Sequence, residues 1–146
     1  MVINTVRFGQ VEVDENNVIA FPEGIPGFPE EREFILLQLG LEETPFWWLQ
    51  SVTTQELCFL TVEPARVFPE YDFRVPNEQL QRLQVGVEPA LEALAIVNVP
   101  DGELRRATVN LRAPVLINPV TRLGVQMILD REQYAIRQPL FSETEV

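Results

Sequence analysis

Three stretches decide the fold class: Phe34-Ile35-Leu36-Leu37-Gln38-Leu39, Phe46-Trp47-Trp48-Leu49-Gln50-Ser51-Val52 and Cys58-Phe59-Leu60-Thr61-Val62. Each is short and rich in aromatic and branched side chains. Turn signals separate them, an acidic turn after the first and Glu63-Pro64 after the third. Such residues suit a pleated surface, and strands broken at short intervals by turns are the pattern of a sandwich or barrel. The run 34–39 stays apolar as far as Gln38, so it reads as a strand buried on both faces.

Upstream, Val2-Ile3-Asn4-Thr5-Val6-Arg7-Phe8 and Gln10-Val11-Glu12-Val13-Asp14 alternate apolar and polar residues about Gly9. Glu15-Asn16-Asn17 then introduces Val18-Ile19-Ala20-Phe21. This is a meander of short strands with one face in the core. Downstream, residues 76–83 read as a helix, with Asn77 as its cap and Leu80 and Leu83 on one face. A second helical stretch over 89–94 competes with a strand that includes Ala95-Ile96-Val97-Asn98-Val99. The last third returns to strands at 107–111, 115–117, 125–129 and 134–136, with Pro100-Asp101-Gly102 as a turn. Pro114, Pro119 and Pro139 mark edges, bulges or strand ends, because proline donates nothing to a ladder. The expectation is a mainly β, compact antiparallel barrel or sandwich-like single domain with one short helix. It spans residues 1–141, and 142–146 form a flexible tail.

Composition narrows the function. The chain has 146 residues, 46% of them hydrophobic, enough for a core without disulfides or metals. Its net charge is -11, and all 11 of its cations are arginine. A field of this sign repels polyanions and steers basic partners, which argues against nucleic acid as a ligand, although excess Glu also serves solubility alone. Cys58 has no second cysteine to pair with and reads as a small buried residue suited to a reducing compartment. No stretch approaches the roughly 18 apolar residues of a membrane span, and no signal peptide is recognisable, so a cytoplasmic location is expected.

The chain contains no histidine, which removes the commonest general base and metal ligand near neutral pH. Ser-His-Asp and Cys-His triads are therefore impossible, and zinc clusters, a P-loop and a dinucleotide fingerprint are absent. A carboxylate pair survives as hydrolytic machinery, but no pair is singled out, and no EF-hand spacing suggests calcium. The expectation is a non-enzyme without metal or cofactor. The alternative is an acidic barrel that binds a carbohydrate or small molecule, or a carboxylate-based hydrolase.

Two segments stand out. In Phe21-Pro22-Glu23-Gly24-Ile25-Pro26-Gly27-Phe28-Pro29 three prolines fix φ, two glycines permit positive φ, and Ile25 and Phe28 sit on a stiff loop before Glu30-Glu31-Arg32-Glu33. Such a loop can grip a partner, or it can simply close the end of a core. In the segment 110–119, Leu111, Val115 and Ile117 line one face, Asn110 and Asn118 are placed to bond turn backbone, and Arg112 projects opposite. Trp47 and Trp48, as strand neighbours, face opposite ways; the pair reads as core.

These segments, in this order, resemble the FliW family of flagellar assembly factors. So do Thr108 to Asn118 as a whole, and Gly124, Gln126, Tyr134 and Arg137. The resemblance implies a compact β-barrel-like fold. It also implies a protein that binds CsrA, a small RNA-binding translational repressor, and so relieves repression of flagellin synthesis, and that binds flagellin itself. Expected contacts are Glu23, Gly24, Ile25, Pro26, Gly27 and Phe28 in the loop, with Asn110, Arg112 and Asn118 in the second segment. Ile25 and Phe28 would be apolar anchors, Glu23 a charge facing basic repressor surface, and Asn110 and Arg112 sources of directional hydrogen bonds. The chain alone is expected to be a monomer.

Overall fold

The chain is described here by a computed structural model covering residues 1–86, 91–129 and 134–141. Its strands are β1 (Val2–Thr5), β2 (Gly9–Glu12), β3 (Ile19–Ala20), β4 (Glu33–Leu37), β5 (Phe46–Ser51), β6 (Cys58–Val62), β7 (Glu92–Asn98), β8 (Thr108–Val109), β9 (Val115–Asn118), β10 (Leu123–Gln126) and β11 (Gln138–Pro139). The helices are α1 (Pro64–Val67) and α2 (Asn77–Arg82). Seven strands run β7-β6-β5-β4-β3-β10-β9, and β9 pairs back onto the first half of β7 to close a barrel. The second half of β7 carries β8, with β11 at the edge. Direction cannot alternate all the way round a ring with an odd number of strands. One pairing must be parallel, and it is β3 with β10, joined at Ala20 and Leu123.

Strand alternation builds the core on both sides of the barrel wall. Phe34, Leu36, Trp47, Leu49, Leu94, Val115 and Ile117 belong to the interior cluster, with Ile19, Phe21 and Ile25. The residues between them face outward. Ile35 packs against Ile3 and Val13 of the N-terminal hairpin, with Leu37 alongside, and Leu116 packs with Leu83, Val125, Met127 and Leu129. Phe34 and Ile35 are thus buried on opposite faces of the wall, but the strand expected over 34–39 stops at Leu37, its last two residues are only part-buried, and Leu39 is 44% exposed.

Several local expectations change. Asn77 does not cap α2: Pro76 precedes the helix with extended backbone and Asn77 is its first residue, with no side-chain cap. A second one-turn helix, α1, starts at Pro64, where a proline with preset φ costs no hydrogen bond. Residues 92–94 begin β7 instead of ending a helix, because they pair with β9. The rest of that helical reading, at 89–90, lies outside the described residues, as does the tail 142–146. The strand expected at 125–129 starts earlier, at Leu123, and ends at Gln126. The one expected at 107–111 shrinks to Thr108–Val109, and residues 134–136 form no strand. Neither Trp47 nor Trp48 is fully buried. Trp48 faces out beneath the β1–β2 turn, with the Arg7 guanidinium 4.4 Å from its ring centre and Phe8 edge-on. Cys58 is only half-buried. Burial pushes its thiol pKa up while the neighbouring Arg7 charge partly opposes this.

The prolines fall where a ladder tolerates them: Pro114 just before β9, Pro119 just after it, and Pro139 in the edge strand β11. The parallel seam depends on Gly124, since a Cβ there would lie 2.6 Å from the Phe21 ring inside the barrel. Gly124→Ala should therefore cost about 1–3 kcal/mol by overpacking, read as a lower urea midpoint at unchanged m-value.

Candidate functional site

The loop from Phe21 to Arg32 crosses one end of the barrel between β3 and β4. Its root is tied by Phe21 N–H donating to Arg32 O at 2.8 Å. Within it Ile25 and Phe28 exchange backbone hydrogen bonds in both directions (2.6 and 3.3 Å), a miniature hairpin with Pro26-Gly27 at its tip. Pro26 presets φ at the second turn position, and Gly27, at φ 91°, supplies the positive φ that a type II turn needs at the third. Gly24 is constrained more tightly: its φ is 70° and a Cβ would lie 2.6 Å from Pro29 O.

This geometry divides the two apolar residues of the loop. Ile25 is 2% exposed and belongs to the barrel interior. Its side chain anchors the loop to the core and offers no outer surface. Phe28 is 42% exposed, set edge-on against Phe59 with ring centres 5.7 Å apart. Pro26, Gly27, Pro29 and Glu30 are exposed around it. Glu31 is occupied internally, accepting hydrogen bonds from the hydroxyls of Ser51 (2.9 Å), Thr53 and Thr54, which fastens the loop to the β5–β6 turn. Glu23 pairs with Arg82 at 2.8 Å, and Arg82 also holds Glu78 at 2.9 Å. An exposed pair of this kind adds little stability; it sets the loop's position against the end of α2.

The polar side chains of the second segment are engaged by the fold itself. Asn110 Oδ1 accepts from the backbone N–H of Arg112 and Ala113 at 3.1 and 3.2 Å. Arg112 Nε donates to Tyr134 O at 2.8 Å. Asn118 Oδ1 accepts from Val120 and Thr121, and its amide donates to Leu83 O at 2.9 Å. Strand directions place Asn110 and Arg112 at the same barrel end as the loop. Asn118 lies at the other end of β9. Among the described residues, no hydrogen bond or ion pair joins Asn110 or Arg112 to residues 23–28.

Sequence reasoning missed an aromatic clasp beside Arg112. Tyr71 donates to Leu111 O at 2.7 Å, and its ring centre lies 4.7 Å from that of Tyr134. Tyr134 Oη bonds both the carbonyl and the N–H of Asp72. Burial, with a smaller contribution from Tyr134, pushes the Tyr71 hydroxyl well above the usual tyrosine range. Only contact across 40 residues of chain reveals this clasp, so no local signal could have found it. A cavity of about 600 Å³ at the opposite barrel end was also missed; Trp47, Glu63, Glu92 and Arg122 are among its lining. Among the described residues no group of three or more metal-ligating side chains converges.

The fold and loop define a class: a closed seven-stranded, mainly β barrel whose one end is sealed by a rigid loop carrying an exposed aromatic residue among carboxylates. The family profile described as FliW protein matches residues 2–140, and the chain belongs to the FliW family. Among its relatives, the flagellar assembly factor FliW of Natranaerobius thermophilus is 37% identical over 143 residues, 98% of this chain and 94% of that protein. That of Moorella thermoacetica is 38% identical over 144 residues, covering 99% and 90%. A crystal structure of a flagellar assembly factor FliW superposes with a TM-score of 0.89 at 40% identity, covering 98% of this chain and 99% of that one.

The two loop residues should separate cleanly on truncation. Ile25→Ala should cost about 2–5 kcal/mol of stability, as a cavity in the core does. Phe28→Ala should cost no more than about 1 kcal/mol, since it loses one edge contact at the surface. Denaturant titration of both variants checks this.

Proposed function

We propose that this chain is a non-catalytic, cytoplasmic flagellar assembly factor that acts by binding two proteins. One is CsrA, the RNA-binding translational repressor whose hold on flagellin synthesis it relieves; the other is flagellin, for which it is a chaperone-like partner. What supports this reading above all is the near-full-length relation to proteins named flagellar assembly factors. Phe28 supplies a local basis: an exposed aromatic on a stiff loop loses little conformational entropy when it docks, and aromatic residues are enriched at binding hot spots. In this scheme free flagellin occupies the factor, flagellin export releases it, and the released factor then antagonises CsrA. The factor works as a monomer, without metal or cofactor.

Within the loop Phe28 is the anchor, and Ile25 holds the anchor in place from inside the barrel. Gly24, Pro26 and Gly27 fix the turn that presents it, and Glu23, exposed and held by Arg82, is the charge that faces basic partner surface. Asn110 and Asn118 contribute by holding their own turns, and Arg112, part-exposed and tied through Nε to Tyr134 O, offers its terminal nitrogens for directional hydrogen bonds to a partner. The net charge of -11 gives the antagonism a physical route: an acidic protein docked on an RNA-binding repressor repels the RNA backbone.

Calorimetric titration with CsrA and, separately, with monomeric flagellin tests the reading. Micromolar or tighter binding to both is expected. Phe28→Asp should weaken at least one of them by about tenfold or more with the fold intact. Binding to neither folded, active partner would overturn the proposal. Relief of repression should also weaken as salt is raised while the complex persists; relief indifferent to salt would replace charge repulsion with a shape change in the repressor.

A further inference from the structure

The barrel has two unlike ends. One is filled from within by Phe21 and Ile25 of the β3–β4 loop. At the other end lie the finish of β4, the start of β5, the finish of β6 and the start of β7, and there the 600 Å³ cavity opens. Small-molecule sites favour the mouths of barrels, and this volume lies within their usual range of roughly 300–1,000 Å³. The floor is apolar, made by the inward residues Leu36, Trp47 and Leu94.

Charge at this mouth is arranged in an unusual way. Positions 92, 94 and 96 of β7 share one face, and Leu94 and Ile96 line the barrel interior, so Glu92 occupies the inward register at the rim. It has no ion pair among the described residues. Glu63, also on the rim, is engaged by Trp47 Nε1 at 3.3 Å and Arg66 at 3.1 Å. Arg122 is set in the left-handed backbone region at φ 59° by the β9–β10 turn. One of its terminal nitrogens donates to Asn17 O at 2.6 Å. Its Nε–H is shielded from solvent without an acceptor, and no carboxylate pairs with it among the described residues. A cation and an anion, neither neutralised, thus share the rim of one apolar-floored cavity. Glu92 is exposed with its carboxylate free, and Arg122 has no carboxylate partner among the described residues, so a ligand that carries both charges finds a counter-charge for each.

We propose that this mouth binds a small zwitterion with an apolar side chain, an α-amino acid of the leucine or phenylalanine kind. The carboxylate is held by Arg122, the ammonium by Glu92, and the side chain rests on Trp47 and Leu94. The site is separate from the loop at the other barrel end and does not depend on the proposed partners.

Trp47 reports on the site directly once the second of the chain's two tryptophans is removed by Trp48→Phe. Titrating that variant with L-leucine or L-phenylalanine should give a saturable change in Trp47 emission. Isoamylamine, which lacks the carboxylate, and 4-methylpentanoate, which lacks the ammonium, should each bind at least about tenfold more weakly than L-leucine. Arg122→Gln should lower L-leucine to the level of the amine, and Glu92→Gln to the level of the acid. Arg122 also holds Asn17, so Glu92→Gln, which breaks no side-chain hydrogen bond or ion pair among the described residues, keeps the test decisive if the arginine variant misfolds. The proposal is overturned if the folded protein gives no saturable response to either amino acid up to about 10 mM. It is equally overturned if the amine or the acid binds as well as L-leucine, or if Glu92→Gln leaves binding unchanged.

Discussion

Seven strands closed into a ring force one parallel seam, and the remainder of the structure is arranged around it. The β3–β10 seam is thin, with a single registered residue pair and Ala20 N–H donating to Arg122 O at 2.9 Å. Packing closes what hydrogen bonding leaves weak: the Phe21 ring lies over Gly124 and meets Phe34 edge-on, with ring centres 5.3 Å apart. On the other side of the seam strand, β4 pairs antiparallel with β3, so the chain leaving β3 must turn back at the barrel end to reach it. That return is the Pro- and Gly-rich loop, and its stiffness follows from having to seat Ile25 in the core within a few residues of Phe21.

The same constraint separates the two ends of the molecule. Filling one end from inside leaves Phe28 as the loop's outward apolar residue, flanked by carboxylates. The other end receives the β9–β10 turn, which brings Arg122 to Asn17 and leaves the mouth open above Leu36 and Trp47. A protein of this build can meet a large partner at its sealed end while its open end remains free for something small.

Much of this architecture was legible in the chain. Alternation about Gly9 marked the first hairpin, and the unbroken apolar run at Phe34 marked a strand that buries Phe34 and Ile35 on opposite faces, because composition reports burial directly. Pro114, Pro119 and Pro139 marked strand limits, because a missing N–H is a local fact. The parallel seam was not legible, since it follows from the strand count of a closed ring. Nor were the roles of Ile25 and Phe28 separable, because two apolar residues three apart look alike until the turn between them is built. Arg112 is part-exposed, but its Nε bond to Tyr134 O was not legible, since that bond, like the Tyr71 clasp, joins residues far apart in sequence. Cys58 looked buried within its apolar run, yet it is the first residue of β6, beside Val6 and Arg7 of the β1–β2 turn, and is only half-buried.

The central claim is that the sealed end, through Phe28, meets the protein partners. Amide hydrogen exchange of the chain alone and in complex with CsrA, and then with flagellin, tests it most directly, because exchange slows where a surface is covered. The account predicts that added protection concentrates in residues 22–33 with at least one of the two partners and spares the turn at 118–122. Protection confined to the open mouth, with the loop exchanging as in the free protein, would contradict it.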